Sequence, residues 1–385
     1  MATLLAHADA SLQLPFAAET KRAKLAILLF DLAATGVTRN ALMLSAYLAE
    51  TADVTLLVVS RNGVLAPLVD PRVHVVALAQ PKRRPGLSHL LFAAQRLRVF
   101  LRKEAPEMLL SVGNRTHLVA SLAGKVGLQT AMVFRLSNSL EHKGGRSGAF
   151  GRLRRALSLR LIASSATELL AVSPSVAREA AALGKPVRTI RNGVDVAAVR
   201  ARSREPVPPH VYLPLDIPWA LSVGRLVEQK NHEAAVDALA VANRTTPMAL
   251  VILGEGSDKA RAALRARARR LGVDDRLFII GTVDNPFPIM RRASVFLMTS
   301  LWEGCSNALL EAMACGLPIV ASDRAGDAAN LLGFGRYGLL VDAANPDDVA
   351  AALLTQMGER AVLPGRRIEA FDISVTLRNY ADLLV

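Results

Sequence analysis

Short aliphatic runs alternate with amphipathic stretches along all 385 residues of the chain. In the first half, runs at 25–30, 54–59, 73–78, 108–112, 131–136 and 168–172 read as strands. In the second half, runs at 219–223, 249–253, 277–280, 295–298, 318–321 and 338–341 read the same way. Each run is nearly continuous in Leu, Val, Ile and Ala, as in parallel strands covered on both faces. Between most of them lies room for a helix, as at 39–50, 232–243, 259–271 and 347–357. The pattern predicts an α/β chain of two Rossmann-like, doubly wound parallel-sheet domains facing across a cleft. Pro206, Pro208, Pro209, Pro214 and Pro218 place the boundary between them, because proline interrupts regular elements. The expected domains are 1–205 and 206–370, with a terminal helix at about 371–385 packing back onto the first. Ligands bind in such sheets beyond the carboxyl ends of the strands.

Composition changes this picture in three ways. Hydrophobic residues make up 51% and aromatics only 4%, so both cores must be aliphatic. No stretch approaches the roughly 18 unbroken apolar residues of a membrane span. Residues 1–24 do not read as a signal peptide, having no early Lys or Arg and an apolar run broken by His7 and Asp9. The two cysteines, Cys305 and Cys315, offer neither a disulfide framework nor a metal site of ordinary spacing, which fits a reducing cytoplasm.

Charge is divided unevenly. Residues 1–205 hold 29 Lys and Arg against 13 Asp and Glu, whereas 206–385 hold 18 against 20. Within 82–160 the count is 16 basic against 3 acidic. Such a field attracts phosphate-bearing partners, whether lipid-linked phosphate, anionic membrane or nucleic acid. Nucleic acid is the weakest of these, because only Phe92, Phe100, Phe134 and Phe150 offer stacking surfaces there. Around 144–162, Phe150, Leu153, Leu157 and Leu161 can share a helical face among Arg146, Arg152, Arg154, Arg155 and Arg160. Two readings stand: a basic amphipathic helix lying on an anionic membrane, or a domain helix with an arginine-rich outer face. The basic run 259–270 reads as a solvated helix face.

The candidate chemistry lies in two segments. Residues 302–318 run from the end of a strand, through Glu303, Gly304, Cys305, Ser306 and Asn307, into a helix closed by Gly316 and Pro318. A helix opened by a glycine-containing turn presents free N–H groups and a positive dipole end to a pyrophosphate. Glu303 ahead of that helix and Glu311 within it flank the position with carboxylates able to accept bonds from sugar and ribose hydroxyls. Residues 224–231 follow the strand 219–223, and their Arg225 and Lys230 add two cations at the same sheet edge. Together these cations can stabilise charge on a departing nucleoside diphosphate.

These residues carry a resemblance to family 4 of the retaining glycosyltransferases, which have the GT-B fold. Glu303 and Glu311 form a Glu-x7-Glu element inside E-G-x-x-N-x-L-L-E-A-M-A-x-G-x-P, and G-R-L-x-x-x-K-N stands at 224–231. The segments 172–175, 190–195, 253–256 and 285–290 follow the family order. The resemblance implies that Arg225 and Lys230 bind the donor diphosphate and that Glu311 takes the ribose hydroxyls. It implies that Glu303 meets the transferred sugar and that the turn Gly304, Cys305, Ser306, Asn307 lends N–H groups to phosphate. Gly254 and the region around Val283 would lie near the base, and Gly36 near donor phosphate and acceptor. No cofactor or metal is expected. The implied partners are a nucleotide-sugar donor and a glycan or polyprenyl-linked acceptor in bacterial polysaccharide or lipopolysaccharide assembly. The implied setting is the cytoplasm, with peripheral attachment to the inner membrane face.

The first half departs from the family pattern. Its Gly-Gly-x-Glu-Arg loop corresponds to Thr35-Gly36-Val37-Thr38-Arg39, and its His-Asn pair to Ser137-Asn138. His117 and His142 are nearby, but a lone histidine beside a loop reads as structural. Later, Gly326-Asp327-Ala328-Ala329-Asn330 lacks the usual Glu. The alternatives are another GT-B enzyme, such as a nucleotide-sugar epimerase or a phosphorolytic enzyme, and a non-catalytic nucleotide-sugar or nucleic-acid binding module. A dehydrogenase is disfavoured because no G-x-G-x-x-G follows the first strand.

Overall fold

The computed structural model describes residues 22–33, 35–80, 86–124, 127–140, 149–358 and 361–383. The N-terminal stretch 1–21, His142 and Arg146 lie outside them. The first sheet has seven strands: β1 (Lys24–Leu29), β2 (Asp53–Ser60), β3 (His74–Ala79), β4 (Met108–Val112), β5 (Ala131–Leu136), β6 (Glu168–Ala171) and β7 (Val187–Thr189). The second has six: β8 (Trp219–Val223), β9 (Ala249–Leu253), β10 (Leu277–Gly281), β11 (Val295–Met298), β12 (Ile319–Ser322) and β13 (Leu339–Val341). The expected strands are found to within one residue at each end. The exception is β7, a three-residue edge strand whose Arg188 and Thr189 are exposed, leaving no aliphatic run to read.

Strand orders are β3-β2-β1-β4-β5-β6-β7 and β10-β9-β8-β11-β12-β13, and every pairing is parallel. The architecture is therefore two Rossmann-like domains. In each sheet the order reverses beside the first strand of that domain, between β1 and β4 and between β8 and β11. Connections diverge to opposite faces at such a point, which opens a crevice beyond the strand ends.

Burial follows from this layering. Helices Leu87–Glu104, Asn114–Ala123 and Ala149–Ser165 cover one face of the first sheet, where Leu97, Leu101, Val119 and Ile162 join Leu28, Met132 and Phe134. Each fully buried Leu or Phe contributes about 1.5–3 kcal/mol relative to exposure. The same cluster continues into the second domain through Leu221 and Phe296 of its sheet and Leu309 of a covering helix. Helix Gly36–Leu48 covers the other face of the first sheet. So does the last helix, Ile373–Ala381, whose Tyr380 is buried with Ile27, Leu56 and Leu110. The chain reaches that helix by a bridge between Val194 and Asp372. Among the described residues, no helix is long and apolar enough to cross a membrane.

Candidate active site

The loops after β8 and β11 are neighbours because their strands are neighbours, and both end at the second sheet's order reversal. Hydrogen bonds stitch them together: Leu301 N donates to the Gln229 carbonyl (2.9 Å), and Thr299 Oγ1 donates to the Asn231 carbonyl (2.8 Å). Gln229 Nε2 donates to the Trp302 carbonyl (3.0 Å). Inside this stitch Lys230 Nζ meets Glu303 Oε1 at 2.5 Å, and Ser300 Oγ donates to the same oxygen at 2.9 Å. Glu303 is 8% exposed, so its carboxylate is held by a full counter-charge and a hydroxyl rather than by water. Arg225 is exposed beside them, with no ion-pair partner among the described residues.

A buried histidine supports this loop from below. His232 opens helix His232–Ala242, its Nδ1 3.2 Å from Ser222 Oγ and its Nε2 3.1 Å from the Gly224 carbonyl. Burial pushes its pKa down to about 4, and the charge of Lys230 acts in the same direction. A neutral ring can then donate from Nε2 to the Gly224 carbonyl and accept from Ser222 at Nδ1. Sequence reasoning missed His232, although a histidine directly after the G-R-L-x-x-x-K-N element was there to be noticed.

The phosphate-facing helix of the sequence reading is Asn307–Ala314, capped by Ser306, whose Oγ accepts from Leu309 N. Gly304 precedes it where the domains touch. A Cβ there would lie 2.5 Å from the Ser137 carbonyl and 2.8 Å from a Val172 methyl. Gly36, at the start of helix Gly36–Leu48, faces the Asn307 side chain just as closely. The side chain of Cys305 is buried and its thiol is pushed up to about 12 by burial, so that residue can offer only backbone atoms. Glu311 lies half-buried in the second turn, and burial raises its carboxyl to about 7 against the opposing charges of Arg39 and Arg202. Gly254 donates from N to the Gly281 carbonyl (2.8 Å) where β9 and β10 end, and half-buried Val283 follows two residues later.

The structure thus brings together Lys230 and Glu303, sets Arg225 on their loop, and gathers Gly36, Gly304 and Asn307 where the domains meet. Other residues had no assigned role in the sequence reading. Asp327 is fully buried, its Oδ2 2.8 Å from Arg191 Nε, and burial raises its carboxyl above the ordinary range. Arg135 is buried within β5 and bonded to Asn192. A lone arginine inside the aliphatic run 131–136 was the available signal. His117 is fully buried between Ser111 Oγ (2.9 Å) and the Arg135 carbonyl (3.1 Å), and burial lowers its pKa to about 4. It is a core histidine, as the sequence suggested.

Residues 34–198 match the family model described as Glycosyltransferase Family 4, and residues 217–358 match Glycosyl transferases group 1. With the two parallel-sheet domains, these matches define the chain as a glycosyltransferase of GT-B architecture. It carries a family 4 first domain and a group 1 second domain.

Among curated relatives, the chain is 25% identical over 340 residues to N-acetylgalactosamine-N,N'-diacetylbacillosaminyl-diphospho-undecaprenol 4-alpha-N-acetylgalactosaminyltransferase of Campylobacter jejuni, covering 87% of this chain and 90% of the relative. It is 31% identical over 183 residues to the lipopolysaccharide core biosynthesis glycosyltransferase LpsE of Rhizobium meliloti, covering 47% of this chain and 51% of that one. Its fold matches Anabaena Alr3699/HepE in complex with UDP and glucose with a TM-score of 0.76 at 17% identity, over 94% of this chain and 99% of that one.

Proposed function

We propose that the chain transfers a hexose or N-acetylhexosamine from a nucleotide-sugar to a lipid-linked glycan in bacterial polysaccharide or lipopolysaccharide assembly, with retention and without a metal. The observation that carries this is the Lys230–Glu303 pair at the sheet reversal, directly ahead of the Ser306-capped helix. The donor diphosphate lies between Arg225, Lys230 and the N–H groups of 304–307. Glu311 takes the ribose hydroxyls, and Glu303 takes hydroxyls of the sugar. The two cations supply the charge that a metal would otherwise provide to the leaving group. The anomeric C–O bond to the diphosphate breaks as the bond to the acceptor oxygen forms on the same face. The acceptor's proton passes to a departing phosphate oxygen.

A lipid-linked acceptor is supported by the name of the Campylobacter jejuni relative, which specifies diphospho-undecaprenol, and by the basic first half of this chain. The outer surface of one sheet face fits the same reading. Helix Leu87–Glu104 exposes Leu87, Leu91, Phe92 and Val99, and helix Ala149–Ser165 exposes Leu153 and Leu157, each by 49–67%. Arg96, Arg102, Lys103 and Arg160 are exposed on the same helices. Apolar side chains among arginines suit the headgroup boundary of an anionic bilayer, and the enzyme docks there peripherally on the cytoplasmic side.

The test is a mass-spectrometric screen of nucleotide-sugars against polyprenyl-diphosphate-linked glycans. Release of nucleoside diphosphate only when acceptor is present supports the proposal. Donor consumed without acceptor would instead select the epimerase alternative.

A further inference from the structure

Arg135 is the one lysine or arginine buried outright among the described residues. Its bonds run to three neutral oxygens: Nε donates to Tyr380 Oη (2.7 Å), Nη1 to Ser137 Oγ (2.9 Å), and Nη2 to Asn192 Oδ1. It has no carboxylate partner among the described residues. Taking a guanidinium out of water without a counter-charge is costly, so the placement requires a reason beyond packing.

The reason lies in Asn192, which is 8% exposed. Its Nδ2 donates both hydrogens, to the Cys305 carbonyl (2.8 Å) and to Asn307 Oδ1 (2.8 Å). An asparagine amide fits its pocket in two orientations that differ only in where the oxygen points. A guanidinium can only donate, so Arg135 compels Asn192 Oδ1 to face it and sends both N–H groups toward the turn. Flipped, the amide would set oxygen against two oxygens and N–H against N–H. A neutral or ambivalent side chain at 135 would leave that choice to the Cys305 carbonyl, which can only accept.

We infer that Arg135 is a positioning residue: through Asn192 it fixes the turn from Cys305 to Asn307 before a diphosphate arrives. Arg135 and Tyr380 are buried with the first sheet, whereas Cys305 and Asn307 open a helix of the second. The turn is therefore preset by bonds that run from the first sheet to the second domain. The inference rests on reading the turn as the diphosphate cradle.

The test titrates UDP, GDP and ADP calorimetrically into the full chain and into the variants Arg135→Met, Arg135→Lys, Asn192→Asp and Tyr380→Phe, with donor KM and kcat measured in parallel. Arg135→Met weakens the diphosphate bound by the wild type about tenfold and raises donor KM more than it lowers kcat. Arg135→Lys, still a donor-only cation, recovers most of that affinity. Asn192→Asp is the discriminating variant. It gives Arg135 a carboxylate, so melting temperature holds or rises, yet the new side chain cannot donate to Cys305 and affinity falls as in Arg135→Met. Tyr380→Phe changes affinity less than Arg135→Met, because Asn192 keeps its partner. Wild-type affinity in a folded Asn192→Asp overturns the inference, and so does wild-type affinity in Arg135→Met where that variant folds. A wild-type chain that binds none of the three diphosphates removes the cradle itself, and with it the proposed placement of the donor.

Discussion

The two sheet reversals are built from different materials. Beyond β8 and β11 the loops are held by an ion pair, Lys230 with Glu303 at 2.5 Å, reinforced by Ser300 and Gln229. Beyond β1 the corresponding helix start is held by hydroxyls, Thr35 Oγ1 and Thr38 Oγ1 lying 2.9 Å apart with Thr35 capping Thr38 N. Thr38 stands where relatives were expected to carry a glutamate, and it is buried. No ion pair holds that helix start among the described residues, and many of the first domain's cations are spread over its outer helices. The second domain thus concentrates ionic chemistry at a point, suited to a small phosphate ligand. The first spreads cations over a face, suited to an extended anionic surface.

The sharpest way to break this contrast is Lys230→Met. It strips the leaving group of a cation and leaves Glu303 buried and unpaired, so turnover falls about 10²–10³-fold and stability about 3 kcal/mol. The double variant Lys230→Met/Glu303→Gln regains melting temperature but not turnover. Wild-type kinetics in the single variant would dissolve the ionic side of the comparison.

Next in size, the triple variant Arg96→Glu/Arg102→Glu/Arg160→Glu lowers affinity for phosphatidylglycerol vesicles by about 1 kcal/mol per neutralised arginine, and more for reversal. It leaves turnover of a water-soluble acceptor unchanged. Co-sedimentation at low and high salt measures it, and equal binding by both proteins would refute a membrane face.

Glu311→Gln has an intermediate effect, with turnover down about tenfold. The carboxyl binds its proton more tightly in the folded chain (about 7) than at its ordinary value of 4.5. Stability it lends below that ordinary value is lost as pH climbs through about 7. The glutamine variant should therefore melt higher than wild type at pH 8 and about equal to it near pH 4. For the wild type, kcat/KM for donor should rise with pH through about 7 as the hydroxyl-accepting carboxylate forms. A pH-independent melting difference would refute that assignment.

Smallest of all is Thr38→Val. It removes the hydroxyl pair, and turnover stays within about twofold while stability drops by about 1 kcal/mol. A large catalytic loss would show that the first reversal also does chemistry.

What could be read from the sequence follows the same division. Strands and the loops and helix carrying Lys230, Glu303 and Glu311 were legible because each is a short contiguous pattern set by local spacing. The edge strand β7 was not, having one apolar residue to announce it. Nor was the Arg135 junction, whose partners Asn192 and Tyr380 are 57 and 245 residues away in sequence. Periodicity reports which face of an element is buried, and it is silent on which distant polar group will meet a buried charge. Arg225 and Lys230 read as a matched pair, yet one is exposed and the other already engaged by Glu303.

Tyr380 has a consequence for how the chain is made. The first domain is synthesised first, but its core lacks the ring that sits with Ile27, Leu56 and Leu110 until the whole second domain has also been translated. Folding on the ribosome must hold that half of the molecule unfinished while the second half emerges. A stop just ahead of Tyr380 would damage the oldest part of the nascent chain rather than the newest.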